Sequence, residues 1–473
     1  MTFAVWGTGS YYQKYKKFID PNEIGLLVDN NPKKQGEILD GHLIYAPALV
    51  DFDRCDYIIV LVMHYSEIKQ QLLEIKIPQQ KVISYKELYK VPIIRPTVIS
   101  KGKELTIEQW ADQNMGIKIA VFSHNFARSG VPVALMNLTR LLQKMGYQVL
   151  LCSLESGNLQ EDLDQYLIDY MPDVEVIYRD THFGEVLRKF SFVVVGTLVL
   201  SELGTYLSER GLSILWWLHE SEENLYFKYK LPKETKQICY CSVGELVNTV
   251  FKRYYPAREM KELLYYIPDK VEEERSEVAD LEIIKANIGY KDDKFTFAVI
   301  GGIYKRKAQD IIVQAVKYIP QGIRERIQIF IIGAIPSKAK MKWEQIRYQV
   351  PQIHLTGEVS QEQVDEMYEL IDVLVCPSRS DPMPTVVTQA MQHRKPCIIS
   401  DQVGQSVFMK QGEGGFVFQS EDERELAQLM VWFVEHPQDC EKIGGQARKI
   451  YETYFTEDHM RKSLEVILKQ IER

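Results

Sequence analysis

The stretch VLVCPSRSDPMPTVVTQAM occupies residues 373–391 and combines an apolar run, a proline-rich loop and a helical pattern. The apolar run VLVC predicts a strand, and Pro384 stands where the first turn of the next helix begins, a position that tolerates proline. The backbone N–H groups of Met383, Thr385 and Val386 then lack partners and point out of the helix N-terminus. A helix N-terminus at the carboxyl end of a parallel strand predicts a site for an anion or for sugar hydroxyls.

Two polar side chains flank this predicted helix N-terminus. Asp381 stands just before it, and Gln389 lies one turn inside the helix. Both are placed to meet a ligand that enters at the end of the strand. An ordinary loop closed by a capping aspartate would also explain Asp381, and the residues alone leave that alternative open.

A second cluster, IGGIYKRKAQD at residues 300–310, also follows an apolar strand. Its paired glycines, which include Gly302, allow close backbone approach, and its basic residues include Arg306 and Lys307. Fixed cations of this kind neutralise a diphosphate where no metal ion does so. The pattern is neither a Walker loop nor GxGxxG, so a solvated basic turn is the alternative.

Two further strand ends carry candidate residues. The loop ARSGVP at residues 127–132 is rich in small residues, and Gly130 would let a phosphate or a sugar come close. The stretch LWWLHES at residues 215–221 ends a strand with His219, at the edge where open α/β sheets bind ligands. A plain connecting turn and a structural histidine are the respective alternatives.

Short apolar runs alternate with amphipathic stretches through most of the 473 residues, which predicts an α/β chain of βαβ units and parallel sheets. There are three such sets, a small one followed by two of similar size. The formal net charge of -8 argues against a general nucleic-acid binder. Seven cysteines without a CxxC pair indicate reduced thiols, and therefore a cytoplasmic protein, rather than a disulfide framework or a zinc site.

In this order and spacing, four stretches resemble glycosyltransferase family 4, the retaining nucleotide-sugar transferases of GT-B fold. They are SGVPVALMNLTRLLQKMGYQV (129–149), LWWLHES (215–221), GGIYKRKAQDIIVQA (301–315) and LTGEVSQEQVDEMYELIDVLVCPSRSDPMPTVVTQAM (355–391). The resemblance covers residues 117–473. It implies two Rossmann-like domains facing each other across a cleft, here preceded by a small third Rossmann-like domain.

The resemblance also implies roles for single residues. Lys307 is expected to bind the donor diphosphate. The acidic-x7-acidic pair of the family corresponds to Asp381, which contacts the donor sugar in catalysis, and to Gln389, which grips the nucleotide ribose. His219 is the second residue assigned to catalysis and orients the donor. The rest of the expected donor-binding set is Gly130, Gly302, Arg306, Val359, Met383, Pro384 and Thr385.

The sequence departs from the family pattern at two places. The first acidic residue is an aspartate, shorter than the usual glutamate, and the second is the amide Gln389. An amide still bonds to ribose hydroxyls but lacks the charge-assisted strength of a carboxylate. In the diphosphate loop Gly302 replaces the common arginine, and we expect Arg306 to supply the missing cation.

The reaction implied is transfer of a hexosyl or N-acetylhexosaminyl group, with retention, from a UDP-sugar to a glycan, lipid-linked or protein acceptor. Bacterial surface polysaccharide or surface-protein glycosylation is the expected setting. No cofactor and no metal ion are expected, because the Asp-x-Asp pairs at 51/53 and 162/164 follow no convincing strand. A catalytically silent subunit that docks or chaperones an active transferase is the rival hypothesis, and Gln389 favours it. An epimerase of the same fold fits the SDPMP loop less well.

The expected domains follow from the alternating pattern and from this resemblance. They are an accessory Rossmann-like domain (1–95), a linker without clear strands (96–116), an acceptor-side domain (117–270), a donor-binding domain (271–455) that opens with the acidic segment 271–282, and a C-terminal helix (456–473) that packs back on the acceptor side.

The N-terminal segment carries most of a dinucleotide fingerprint. Gly7-Thr8-Gly9 follows a strand and opens a helix, and Asp29 ends the next strand, but Tyr12 replaces the third glycine. The segment resembles small Rossmann-like nucleotide-binding modules appended to sugar-modifying enzymes. Nucleotide binding is one interpretation, and an architectural or partner-docking role is favoured over it. Oligomerisation through this segment, and peripheral association with the inner face of the membrane, are left open.

Overall fold

The computed structural model describes residues 1–233, 237–269, 278–409 and 412–471. The chain divides into two compact units. The first comprises Met1–Arg128, Leu142–Val195 and Glu202–Ile214, and the second comprises Ser129–Leu141, Gly196–Ser201 and Leu215–Arg473. Part of the predicted acidic segment, residues 271–277, lies outside the described residues. The predicted domain boundaries stay predictions.

The N-terminal part of the first unit is a Rossmann-like sheet. Its strands are β1 (Phe3–Trp6), β2 (Ile24–Val28), β3 (Ile38–Leu39), β4 (His42–Tyr45), β5 (Tyr57–Val60) and β6 (Val82–Ser84), and its helices are α1 (Ser10–Tyr15) and α2 (Tyr65–Glu74). The strand order is β3-β4-β2-β1-β5-β6, and every pair is parallel except β3 with β4. Apolar residues of β1 and β5, among them Ala4, Trp6 and Ile58, are buried in one core.

The stretch 96–116 contains two strands and a helix, so the expectation that it has no clear strands is wrong. It forms β7 (Val98–Ser100), β8 (Lys103–Leu105) and α3 (Ile107–Gln113). Lys101 and Gly102 both have positive φ, 49° and 74°, which suits the two-residue turn of a β-hairpin. Trp110 is fully buried, and its indole N–H donates to Asp169 at 2.8 Å. Strands of three residues are too short for a reading of apolar periodicity to detect.

The elements that follow alternate between strands and helices, as the sequence predicts. They are β9 (Lys118–Ser123), α4 (Gly130–Lys144), β10 (Gln148–Ser153), α5 (Gln160–Gln165), β11 (Tyr170–Met171), α6 (Thr181–Leu187), β12 (Phe192–Gly196) and α7 (Ser201–Glu209). In the first unit, the strand order is β12-β9-β10-β11-β7-β8. The pairs of β9 with β10 and with β12 are parallel, as expected for βαβ units.

Ion pairs join the N-terminal sheet to later parts of the first unit. Lys14 Nζ lies 2.7 Å from Glu175 Oε2, and the buried Tyr15 donates its hydroxyl to the same oxygen at 2.7 Å. Lys17 Nζ lies 2.6 Å from Asp173 Oδ2. These contacts favour an architectural role for the N-terminal segment.

The second unit contains a short run of strands and a complete parallel sheet. The run consists of β13 (Ile214–Leu218), α8 (Glu223–Lys228), β14 (Ile238–Ser242), α9 (Glu245–Tyr254), β15 (Lys261–Glu262) and α10 (Val278–Ile288). The strands of the sheet are β16 (Phe295–Ile300), β17 (Ile327–Ile332), β18 (Ile353–Gly357), β19 (Val373–Cys376), β20 (Cys397–Ser400) and β21 (Gly415–Phe418). The sequence predicted the first five of these six strands.

The sheet of the second unit has the order β18-β17-β16-β19-β20-β21, with all pairs parallel. Its helices are α11 (Gln309–Ala315), α12 (Gln321–Arg324), α13 (Ser337–Gln349), α14 (Gln361–Leu370), α15 (Thr385–Gln392), α16 (Glu423–Glu435), α17 (Asp439–Tyr454) and α18 (Glu457–Ile471). The C-terminal helix lies within the predicted segment 456–473; its packing on the acceptor side stays a prediction. The order of strands reverses between β16 and β19, and ligands bind at such a reversal in open parallel sheets.

Candidate functional site

The loop after β16 turns back on itself through its glycines. Gly301 has φ +135°, and the side-chain amide of the buried Gln309 donates to the carbonyls of Gly301 at 3.2 Å and Gly302 at 2.9 Å. The chain then passes through one turn of 3-10 helix, Lys305–Lys307, before α11 begins. This fold-back leaves Arg306 and Lys307 at the carboxyl end of the sheet.

The loop after β19 ends at a helix N-terminus, as the sequence predicts. The helix α15 begins at Thr385, so Pro384 precedes the first turn instead of opening it. Its extended backbone (ψ 126°) places its carbonyl to accept from the buried Gln405 amide at 2.8 Å. Within the described part of the chain, the backbone N–H groups of Met383, Thr385 and Val386 have no hydrogen-bond acceptor.

The two predicted clusters meet at Asp381. Lys307 Nζ donates to Asp381 Oδ2 at 2.6 Å, and Arg306 Nη1 lies 3.3 Å from Asp381 Oδ1. The Asp381 side chain is 8% exposed and that of Lys307 is 19% exposed, so water screens this pair only weakly. A second carboxylate, Glu222 Oε1, lies 3.7 Å from Arg306 Nε. Lys307 is thus paired and largely buried, whereas 42% of the Arg306 side chain is exposed to solvent.

Arg379 holds the two loops together, and the sequence reasoning missed it. Its guanidinium makes paired contacts with Asp310 at 2.7 and 2.9 Å and donates to the Lys305 carbonyl at 2.7 Å. Its backbone N–H donates to the Arg306 carbonyl at 2.8 Å. No local pattern connects Arg379 with Asp310, because the two residues are far apart in sequence.

A buried polar group fixes the start of α15. The hydroxyls of Tyr265 and Thr388 lie 2.8 Å apart, and the amide of Gln405 donates to Thr388 Oγ1 at 3.0 Å. Burial raises the pKa of Tyr265 far above its ordinary value, so its hydroxyl stays protonated. These three residues were also missed, since nothing in the sequence shows that distant polar residues will share one buried site.

His219 follows β13 as predicted, and its ring packs on Trp217 with 4.5 Å between ring centroids. The strand end lies close to the loop after β19, because Ser221 Oγ and Ser380 Oγ are 3.0 Å apart. The structure therefore places the LWWLHES strand end beside the loop that carries Asp381.

Glu220 is a further buried residue that the sequence analysis did not select. Its Oε2 accepts from the backbone N–H of Leu198 at 3.0 Å and of His219 at 3.1 Å. Burial raises the pKa of the Glu220 carboxyl to about 7. The neighbouring Thr197 has φ +120°, a strained value for a β-branched residue, and its carbonyl accepts from the Trp216 indole at 2.9 Å. Glu220 and Trp216 thus hold a strained turn next to His219. An acidic residue directly after an apolar strand was the available sequence signal.

The remaining predicted residues lie farther from this cluster or make no contact with it. Gly130 is the exposed first residue of α4, and Val359 lies in the half-buried loop before α14. No hydrogen bond or ion pair between described residues joins either of them to Asp381. Gln389 lies one turn inside α15 and is half-buried, and its amide side chain forms no hydrogen bond with the described residues.

The first aspartate of each Asp-x-Asp pair bonds to protein groups. Asp51 accepts from the backbone N–H of Asp53 at 3.2 Å and pairs with Arg54, while Asp162 pairs with Arg128 at 2.7 Å.

Over the residues that the structure describes, no helix is both long enough and apolar enough to cross a membrane.

Three family models match the chain in succession. The model described as "C2185-like, N-terminal" matches residues 1–83, "Glycosyl-transferase family 4" matches residues 115–249, and "Glycosyl transferases group 1" matches residues 280–450. The second match includes His219, and the third includes Lys307 and Asp381.

A curated relative, the D-rhamnosyltransferase WbpZ of Pseudomonas aeruginosa, is 29% identical over 131 residues, which are 27% of this chain and 34% of that protein. The chain spans between 34% and 50% of the length of the curated relatives that it matches.

Solved glycosyltransferase structures share the fold. Anabaena Alr3699/HepE, in complex with UDP-glucose, has a TM-score of 0.63 at 13% identity, over 75% of this chain and 100% of that chain. A glycosyltransferase from Rickettsia africae has a TM-score of 0.65 at 14% identity, over 75% of this chain and 98% of that chain. Two glycosyltransferase family models thus match the chain in succession, the chain shares the GT-B fold of these solved structures, and a further model matches its N-terminal residues.

Proposed function

We propose that this chain is a retaining glycosyltransferase that moves a hexosyl or N-acetylhexosaminyl group from a UDP-sugar to an acceptor. The acceptor is a glycan or a glycoprotein of bacterial surface-polysaccharide synthesis or surface-protein glycosylation. The observation that carries the proposal is the convergence of Lys307 and Arg306 on Asp381, beside the unpaired N–H groups that begin α15. The UDP-glucose bound to the Anabaena structure supports a UDP-sugar as donor.

The donor diphosphate binds at the two cations, Lys307 and Arg306. A diphosphate brings two or more negative charges, and Lys307 and Arg306 supply two fixed positive charges at the end of β16. The N–H groups of Met383, Thr385 and Val386 add donors that have no acceptor among the residues the structure describes. On binding, Lys307 exchanges an oxygen of Asp381 for an oxygen of the phosphate, so the ammonium stays paired throughout.

The same exchange prepares Asp381 for the donor sugar. Its carboxylate, released from Lys307, accepts hydrogen bonds from sugar hydroxyls, and the backbone bond from Asp381 N–H to the Gln402 carbonyl (3.0 Å) keeps it in place. Gln389, one turn further along α15, has an amide with no partner among the described residues and is available to the nucleotide ribose. Its amide can both donate to and accept from ribose hydroxyls.

In the proposed reaction, the bond between the anomeric carbon and the diphosphate oxygen breaks while the acceptor oxygen bonds to the same face of the sugar. The acceptor proton passes to the departing diphosphate oxygen. Lys307 and the N–H groups of α15 stabilise the charge that develops on that oxygen, the kind of electrostatic effect that dominates many enzymes. His219 orients the donor from the neighbouring strand end.

The test is a panel of nucleotide sugars assayed for slow hydrolysis by the full chain, with the Asp381→Asn variant alongside. We expect one UDP-sugar to be hydrolysed by the wild type, and the rate to fall sharply in the variant. If no member of the panel is hydrolysed and UDP does not bind, the chain is better explained as a silent subunit that docks an active transferase.

A further inference from the structure

An open cavity of about 240 Å³ lies in the N-terminal sheet, at the carboxyl ends of β1, β2 and β5. The central strand β1 has β2 on one side and β5 on the other, so the order of strands reverses there. Open parallel sheets bind ligands at such a reversal. The apolar residues Leu61, Val62 and Ile68 line the cavity, and so do Gly9 and Lys34.

Asp29 lines this cavity, and internal donors already hold its carboxylate. Its Oδ2 accepts from the Thr8 N–H at 2.9 Å, the Thr8 hydroxyl at 2.5 Å and Lys34 Nζ at 3.1 Å, and its Oδ1 accepts from the Asn31 N–H at 2.9 Å. Burial alone would raise the pKa of Asp29, but the hydrogen bonds from Thr8, Asn31 and Lys34 lower it below its ordinary value. In dinucleotide-binding folds the carboxylate at this position accepts ribose hydroxyls. Here internal donors already bond to both carboxylate oxygens, three to Oδ2 and one to Oδ1.

The two glycines of the loop have different explanations. Gly7 has φ +103°, and a Cβ there would lie 2.6 Å from the Leu61 carbonyl oxygen, so the fold itself requires glycine. Gly9 has φ -89°, which any residue adopts, and a Cβ there would meet only Lys34 Nζ, at 3.9 Å. Protein packing therefore does not require glycine at position 9. A glycine on a cavity wall that the fold does not need indicates close approach of a ligand to the backbone.

We propose that this cavity binds a nucleotide through its phosphate, which lies between the backbone at Gly9 and the ammonium of Lys34. Lys34 Nζ has three N–H donors; Asp29 and the Thr8 hydroxyl (3.3 Å) engage two of them, and the third serves the phosphate. The base packs on the apolar wall of Leu61, Val62 and Ile68. The cavity is smaller than the usual range of about 300–1,000 Å³ for small-molecule sites, so it suits a mononucleotide rather than a dinucleotide.

This site is independent of the proposed donor site, which lies in the other unit. It also differs from a dinucleotide site in one measurable respect. Because four internal hydrogen bonds already hold the Asp29 carboxylate, the proposed orientation gives the ribose no bond to it, and a 2′-deoxynucleotide should bind as tightly as the matching ribonucleotide.

The test is calorimetric titration of the full chain with AMP, CMP, GMP, UMP and inorganic phosphate. We expect at least one nucleotide to bind at one site per chain, more tightly than phosphate, and equally well to the Lys307→Ala variant. Lys34→Ala should weaken binding by about tenfold to a hundredfold, because a charge-assisted hydrogen bond is lost. Lys33→Ala removes the adjacent exposed lysine and is the matched control, with affinity unchanged.

The Gly9→Val variant separates binding from folding. Its backbone conformation tolerates valine, so the melting temperature should match the wild type while the side chain fills the phosphate position and abolishes binding. The proposal is overturned if none of the four nucleotides binds, if binding survives in Gly9→Val, or if it is lost in Lys307→Ala. Tenfold weaker binding of the 2′-deoxy analogue would show that Asp29 contacts the ribose and would overturn the proposed orientation.

Discussion

The N-terminal cavity and the loops after β16 and β19 both pair a lysine with an aspartate at the carboxyl edge of a parallel sheet. Lys34 Nζ lies 3.1 Å from Asp29, and Lys307 Nζ lies 2.6 Å from Asp381. Backbone N–H groups of Thr8 and Asn31 also hold Asp29 in place. Among the described residues, the carboxylate of Asp381 is held by the side chains of Lys307 and Arg306 and by no backbone N–H group.

This difference shows how alike residues acquire different roles. Backbone donors cannot leave without unfolding the loop, so a carboxylate that they hold belongs to the fold. Lysine and arginine side chains can turn towards a ligand, so a carboxylate that they hold becomes available when the ligand binds. We therefore propose that Asp29 organises its loop, whereas Asp381 exchanges its partners when the donor binds.

The largest expected effect separates these two aspartates. Asp381→Asn should lower turnover on the order of a hundredfold, because an amide accepts sugar hydroxyls weakly and leaves two cations without their carboxylate. Asp29→Asn should keep the turnover but lower the free energy of unfolding by about 2–3 kcal/mol, through lost charge-assisted hydrogen bonds. The check is kcat and thermal unfolding of both variants. Equal losses of turnover in the two variants would remove the distinction.

Glu220 extends the comparison, because backbone N–H groups hold it as they hold Asp29, yet its pKa shifts the other way. Burial raises that pKa from 4.5 to about 7. Between these values the folded protein keeps a proton that the unfolded chain has lost, so stability falls as the pH rises, by roughly 3 kcal/mol over the whole window.

The measurement for Glu220 is urea unfolding at several pH values between 4.5 and 8. The Glu220→Gln variant has no titrating group at position 220. Its free energy of unfolding should therefore fall less steeply with pH than that of the wild type. Identical slopes for the two proteins would mean that Glu220 is ionised in the folded state at all these pH values.

Gln389 should produce a smaller effect, on ligand affinity alone. If its amide meets the ribose, Gln389→Glu keeps or strengthens UDP binding through a charge-assisted hydrogen bond, and Gln389→Leu weakens it by about tenfold. The check is UDP affinity of the wild type and both variants, with thermal unfolding as the control for folding. Three indistinguishable affinities would remove Gln389 from the site and favour the silent-subunit hypothesis.

The smallest expected effect is that of metal removal. Because side-chain cations neutralise the diphosphate in this account, activity after treatment with EDTA should stay close to that of the untreated enzyme. An activity that disappears and returns only on addition of Mg²⁺ or Mn²⁺ would assign the charge neutralisation to a metal ion instead.

Much of the architecture could be predicted from local sequence patterns. The apolar runs predict five of the six strands in the sheet of the second unit, and the predicted C-terminal helix (456–473) contains the observed helix Glu457–Ile471. Pro384, the second proline of SDPMP, predicts the start of α15 to within one residue. These features succeed because periodicity and proline geometry are properties of neighbouring residues.

The partners of the site residues could not be predicted in the same way. The pairing of Arg379 with Asp310, and the shared burial of Tyr265, Thr388 and Gln405, join residues that only the folded sheet brings together. The hairpin at 98–105 was not predicted for a local reason, since its strands are too short to show a hydrophobic period. Local sequence patterns identify helices and strands. Polar contacts between residues distant in sequence can be predicted only once the topology of the sheet is known.

The central claim is that Lys307 leaves Asp381 to hold the donor diphosphate, and UDP titration of matched variants tests it most directly. Lys307→Ala should weaken UDP binding by about tenfold to a hundredfold, the loss expected for one charge-assisted contact. Lys305→Ala, which removes an exposed lysine from the same turn of 3-10 helix, should leave the affinity unchanged. Equal UDP affinity in the wild type and the Lys307→Ala variant, with the fold intact, would contradict the claim.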